Sequence, residues 1–144
     1  MVDVTHKKPT LRTAVAQGTV FMTPVTFEKI TDRTVKKGNV LETARIAGIM
    51  GAKKTAELIP MCHPLNITHI RIDFCPEKTE SAIKITATVN ILDQTGVEME
   101  ALTAVSIAAL TIYDMCKSID RAMTISDIVL LEKSGGKSGH FKRP

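Results

Sequence analysis

Two charged residues in an otherwise apolar stretch give the strongest chemical signal in this 144-residue chain. Asp114 and Lys117 stand three apart, a spacing that puts both side chains on one helical face and lets a carboxylate meet an ammonium. Their neighbours include Leu102, Val105, Ile107, Leu110, Ile112, Met115 and Cys116. Charges set in such a helix face either a rim or a lined cavity, and in a cavity they can exchange protons with a bound molecule. An ordinary surface ion pair satisfies the same spacing. Upstream, Glu98 closes a Thr95-Gly96-Val97-Glu98 capping box, whereas Glu100 has no local task and is a further candidate. Glu100 and Asp114 lie fourteen positions apart, about 21 Å of helix and nearly in phase. One small molecule cannot readily touch both within a chain, so a site using both would lie between protomers.

Pro60-Met61-Cys62-His63-Pro64 holds an imidazole in a segment stiffened by two prolines. His63 there is either a site residue or a structural histidine bonded to backbone. Cys62 and His63 are adjacent, and Cys62, Cys75 and Cys116 show no C-x-x-C spacing, so no metal site is signalled. Gly136-Lys137-Ser138 looks superficially like a P-loop, but Leu131 stands where that motif needs glycine. Glycines and lysines there can still wrap a phosphate, and a solvated tail is the alternative reading. Lys36-Lys37-Gly38, just before a helix start, is a second possible anion site, with a solvated turn as its alternative.

These residues must be positioned by regular elements. Alternation from Thr13 to Met22 predicts a strand, and Thr23-Pro24 opens a short helix ending near Thr31-Asp32-Arg33. Asn39 and Glu42 have capping-box spacing, which predicts a helix from Asn39 to about Leu58. His69–Cys75 and Ala82–Leu92 alternate as the arms of a hairpin around Pro76–Ser81. A helix follows from Thr95 to about Asp120, apolar nearly all round and so in need of cover on several sides. A last strand spans Met123–Leu131. The order of strand, two helices, two strands, helix and strand predicts an α+β fold: a ferredoxin-like split βαβ antiparallel sheet with an extra helix in the first crossover.

Composition limits the classes of function. With 44% hydrophobic and 24% charged residues the chain reads as one globular domain, 1–144, with 133–144 a mobile basic Gly/Ser tail. The net charge of +4 resides in Lys133, Lys137, Lys142 and Arg143, leaving the body balanced. A basic stripe for nucleic acid is therefore not expected, and a single Tyr, four Phe and no Trp leave no stacking platform for RNA. The first nine residues lack an apolar export segment, and Ala104–Ile112 is too short to span a bilayer. A cytoplasmic protein without membrane contact is expected.

Taken together, Lys37-Gly38-Asn39-Val40, Thr43 through Ile49, Glu57 through Leu65, Thr95 through Lys117 and Lys133 through Gly139 closely resemble the molybdenum-cofactor biosynthesis protein C family, the cyclic pyranopterin monophosphate synthases. Departures are mild: Met61 stands where the family often has Leu, and Asn39 where Asp is common. The resemblance implies a lyase that converts 3′,8-cyclo-7,8-dihydro-GTP to cyclic pyranopterin monophosphate and releases pyrophosphate; no redox centre and no cofactor are expected. It also implies Asp114 as general acid or base with Lys117 beside it. Met61, Cys62, His63, Met99 and Glu100 match substrate-binding segments, and Lys37, Lys53, Lys133 and Lys137 match phosphate-binding or proton-assisting lysines. A homohexamer built as a trimer of dimers is implied too. The alternative is a non-catalytic nucleotide-binding regulatory domain of the same fold.

Overall fold

Strand β1 (Thr10–Phe21) is the centre of the molecule because both its edges and one whole face are covered. The computed structural model describes residues 1–144. Ala14, Ala16, Gly18 and Val20 point inward and are buried, and small side chains here let a helix approach the sheet closely. Thr23 then accepts a hydrogen bond from the Thr26 N–H, and Pro24 occupies the first turn of α1 (Pro24–Thr31).

Helix α2 (Val40–Lys53) begins where its Asn39 cap predicts, with the Asn39 side chain accepting from the Glu42 N–H. It ends earlier than its apolar pattern suggests. The chain breaks at Lys54 and resumes as the single turn α3 (Thr55–Leu58). At this break the buried Thr55 hydroxyl donates to the Ala52 carbonyl at 2.9 Å.

β2 (His69–Glu77) and β3 (Ala82–Asp93) form the expected hairpin, turned by a short 3₁₀ segment, Lys78–Glu80. On β3, Ile83, Ile85, Ala87, Val89 and Ile91 are all inaccessible to solvent. Helix α4 (Glu98–Cys116) crosses the sheet, and β4 (Thr124–Ser134) returns beside β1. The strand order is β2-β3-β1-β4-β5 and every pairing is antiparallel. This is the split βαβ arrangement, with β3 inserted between the parallel-running β1 and β2 and both α1 and α2 in the first crossover.

Three expectations are corrected. The helix that starts at Glu98 has no side-chain cap, so the Thr95 capping box does not form. It stops at Cys116 because the following residues fold into tight turns, and Asp120 turns its carboxylate to the Thr23 N–H (2.8 Å) and the Ala122 N–H (3.0 Å). The terminal segment also joins the sheet: β4 extends through Lys133 and Ser134, and β5 (Phe141–Lys142) pairs with it.

Helices α2 and α4 pack side by side on one sheet face. A Cβ at Gly48 would sit 2.8 Å from the Ala104 carbonyl oxygen, and one at Gly51 2.7 Å from the Ile107 side chain. The two glycines therefore set how closely the helices approach. By length and composition α4 could cross a membrane, but half of it is buried within the fold, as befits a core helix.

Candidate active site

Each end of α4 holds a cluster of polar groups, and the elements around the helix decide what each cluster can do. At the N-terminal end, Glu98, Met99 and Glu100 meet the Pro60–Pro64 loop. Met61, Cys62, His63, Met99 and Glu100 all line one cavity of about 420 Å³. The five residues expected from two distant segments are thus brought together. The His63 Nε2 lies 3.0 Å from the Val2 carbonyl oxygen. A carbonyl only accepts, so Nε2 carries the proton, and in the neutral ring Nδ1 is left as an acceptor. Lys53 lies next door, in a cavity of about 120 Å³ whose walls also include His63 and Glu100.

At the C-terminal end, Asp114 is held between two ammonium groups. Lys117 Nζ is 2.7 Å from one carboxylate oxygen and Lys37 Nζ 3.1 Å from the other. Lys37 also donates to the Asp114 main-chain carbonyl at 2.9 Å, where the helix leaves carbonyls unpaired. Because α2 and α4 run antiparallel, Lys37 and Lys53 bracket α2 and reach opposite ends of α4. The Asp114 side chain remains 56% exposed, so one chain by itself leaves this cluster open to water.

A third group lies beyond the first cavity. Lys137 and Ser138 line a basic cavity of about 660 Å³ together with Arg12, Lys7, Lys8 and His6. Lys133 stands at its edge rather than in its wall, donating to Glu98 Oε1 and to Ser138 Oγ, each at 2.8 Å. Arg12 and Glu98 are the polar groups that sequence reasoning missed. Arg12 sits on β1 with its guanidinium donating to the Asp93 and Gln94 carbonyls at 3.1 and 2.9 Å. The available signal was Gly135-Gly136: both have positive φ, and Gly136 lies directly against that guanidinium. The local spacing of Glu98 signals only a helix cap, and its actual partner, Lys133, is 35 residues away.

The whole arrangement can be set beside known proteins. The MoaC family model matches residues 1–136. A cyclic pyranopterin monophosphate synthase of Desulforapulum autotrophicum is 62% identical over 98% of this chain and 86% of its own length. Its namesake in Syntrophomonas wolfei is 59% identical over 99% of this chain and 91% of its own. That of Chloroflexus aurantiacus is 58% identical over the full chain and 88% of its own. The chain belongs to the MoaC family.

The MoaC match takes in both ends of α4 and Lys133, while Lys137 and Ser138 fall just beyond it. In this MoaC chain the two ends differ electrostatically. Hydrogen bonds from Lys117 and then Lys37 hold the Asp114 carboxyl below its ordinary value, and Asp114 in return raises Lys117. At neutral pH the pair is therefore held as carboxylate and ammonium, each stabilising the charged form of the other. Burial pushes Glu100 upward, and the charge of Glu98 adds to it. Burial, then the proximity of Glu100, raises the Cys62 thiol. Both groups hold their protons to higher pH than exposed ones would, which makes the Cys62 thiol a poor nucleophile.

Proposed function

We propose that this protein is a cyclic pyranopterin monophosphate synthase, a lyase of molybdenum cofactor biosynthesis that converts 3′,8-cyclo-7,8-dihydro-GTP to cyclic pyranopterin monophosphate and pyrophosphate. The observation that carries this reading is the MoaC match over residues 1–136, with relatives of that name about as long as the chain itself.

The geometry suits that reaction. Opening and reclosing rings moves protons at several atoms, and Asp114 with Lys117 supplies an acceptor and a donor at one point. The cavity around Cys62, His63 and Glu100 presents hydrogen-bonding groups to the base-derived rings, with Met61 and Met99 as apolar walls. Forming the cyclic phosphate expels pyrophosphate, and Lys133, Lys137 and Arg12 offer the positive charge that a leaving polyanion needs. Lys37 and Lys53 add ammonium groups at the two ends of α4.

The two clusters are about 21 Å apart along one helix, and the C-terminal one is open in a single chain. The complete site is therefore assembled from two protomers, with the N-terminal end of one α4 facing the C-terminal end of another. Ile46, Met50 and Leu110, all exposed on the helical layer, supply apolar surface for such contacts. A homohexamer built as a trimer of dimers, working in the cytoplasm, fits this arrangement.

Two measurements test the reading. Purified protein should release pyrophosphate from 3′,8-cyclo-7,8-dihydro-GTP, and the absence of turnover overturns it. Asp114→Ala and Glu100→Ala chains should each be inactive, yet co-assembled in equal amounts they should regain activity in about a quarter of the pockets, since half the pairs are mixed and each mixed pair rebuilds one of two sites. If mixing restores nothing, the shared site is wrong even where the activity stands.

A further inference from the structure

Glu98 sits between two cations that would otherwise face each other. Its carboxylate accepts from Lys133 at 2.8 Å, both side chains are about three-quarters buried, and the Arg12 charge also acts on it. Glu98 lines the 420 Å³ cavity that holds Cys62, His63 and Glu100. It also lines a narrow slot with Arg12, Lys133 and Gly135. It is thus the partition between the base-binding cavity and the basic segment that follows β4.

The same lysine continues outward. Lys133 Nζ donates to Ser138 Oγ, and the turn between them is closed by the Gly139 N–H bonding the Gly136 carbonyl at 3.3 Å. Gly136 packs on the Arg12 guanidinium. Glu98, Lys133 and Ser138 therefore form one chain of hydrogen bonds from the first turn of α4 to the glycine loop. Charge-assisted bonds of this kind at partly buried positions are among the stronger polar contacts in proteins.

We propose that Glu98 is a positioning residue for phosphate binding: its carboxylate fixes Lys133 and, through Ser138, docks the 135–139 loop beside the cavity so that Lys133, Lys137 and Arg12 converge on one polyanion. Without this carboxylate, Lys133 and Arg12 repel across the slot and the loop loses its anchor. The proposal rests on the reading of the chain as an enzyme that releases pyrophosphate, but assigns Glu98 a role that acts through its lysine partner.

Its test uses the whole protein, with inorganic pyrophosphate as the probe. Glu98→Gln keeps the size and an acceptor oxygen but removes the charge, and Glu98→Asp keeps the charge at shorter reach. We expect amide exchange of residues 135–139 to speed up in Glu98→Gln and pyrophosphate to bind about tenfold more weakly by calorimetry, with Glu98→Asp recovering part of both. Lys133→Met should loosen the loop equally, and adding Glu98→Gln to it should loosen it no further. Tighter binding in Glu98→Gln would make the carboxylate a competitor of the anion and overturn the proposal, as would unchanged loop exchange. A wild-type protein that does not bind pyrophosphate overturns the functional reading as well. Binding by wild type with no change in Glu98→Gln overturns the positioning role alone.

Discussion

The two ends of α4 carry the same kinds of group and put them to different physical use. At the N-terminal end Glu98 and Glu100 are enclosed: Glu98 has a lysine partner, while Glu100 is 3% exposed and has none. At the C-terminal end Asp114 has two lysine partners, and all three side chains stand about half in water. An exposed ion pair contributes little to stability, so folding alone gives no reason to gather two lysines around Asp114. A buried carboxylate without a cation is a cost to the fold, so Glu100 is equally hard to explain by stability. One end lines a cavity within the chain, and the other is an exposed cluster of charge. Under the proposed function, a ligand would enclose the unfavourable charge at Glu100 and another protomer would cover the exposed charge at Asp114.

The sharpest way to break this contrast is at Asp114. Asp114→Asn preserves shape and removes the proton acceptor, so turnover should fall about 10²–10⁴-fold, the usual reach of a positioned acid or base. The melting temperature should stay near wild type, because the group lost is exposed. Steady-state rates and a thermal melt on the same sample check both halves. Near-normal turnover would reduce this end of α4 to a surface ion pair.

Much of this was legible from residue patterns, and most of the exceptions share a cause. Strand β1, the hairpin of β2 and β3, and the caps at Thr23 and Asn39 follow from alternation and side chains that bond within a few residues of themselves. The pairing of Asp114 with Lys117 is equally local. What escaped was set by contacts distant in sequence. Thr95 and Glu98 have capping spacing, but Lys133 draws the carboxylate away from the helix start. The terminal segment looks like a loose tail until Glu132 meets His140 at 2.7 Å and the Arg143 N–H finds the Leu131 carbonyl at 2.7 Å. The break at Lys54 is a separate case, interrupting a pattern that is helical on both sides. The grouping of Met61, Cys62 and His63 with Met99 and Glu100 rested on family resemblance, since no periodicity links residues so far apart.

A smaller effect tests whether the two ends are held by one rigid spacer. Gly48 lies where α2 meets α4, and an added methyl would press on the Ala104 backbone carbonyl. Replacing a helical glycine by alanine normally gains about 0.5–1 kcal/mol, whereas overpacking costs about 1–3 kcal/mol. Here a backbone group would have to yield, so the clash wins. Gly48→Ala should be destabilised by about 1–2 kcal/mol in chemical denaturation. It should also weaken function at both ends together, because Lys37 and Lys53 ride on the ends of α2. A stable variant with only one end impaired would show that the clusters are positioned independently.

The smallest effect is the most discriminating, because neighbouring carboxylates should respond to pH with opposite signs. Burial raises the Glu100 pKa above its ordinary value of 4.5. In the unfolded chain Glu100 loses its proton first, so stability falls as pH rises through the window between the two values, and the deficit persists at neutral pH. Glu100→Gln should therefore stabilise the protein by roughly 1 kcal/mol at pH 7, with no gain once the pH is below the ordinary carboxylate value. For Glu98, burial also pushes upward, but the hydrogen bond and charge of Lys133 outweigh it and the net shift is downward. Its contribution is present above the unfolded pKa and is lost as pH falls through the folded one, so Glu98→Gln should destabilise at pH 7 and become neutral in acid. Denaturation of both variants across pH 3–8 reads the two slopes directly. If they share a sign, a lysine partner does not separate the two carboxylates, and the electrostatic division within this end of α4 is wrong.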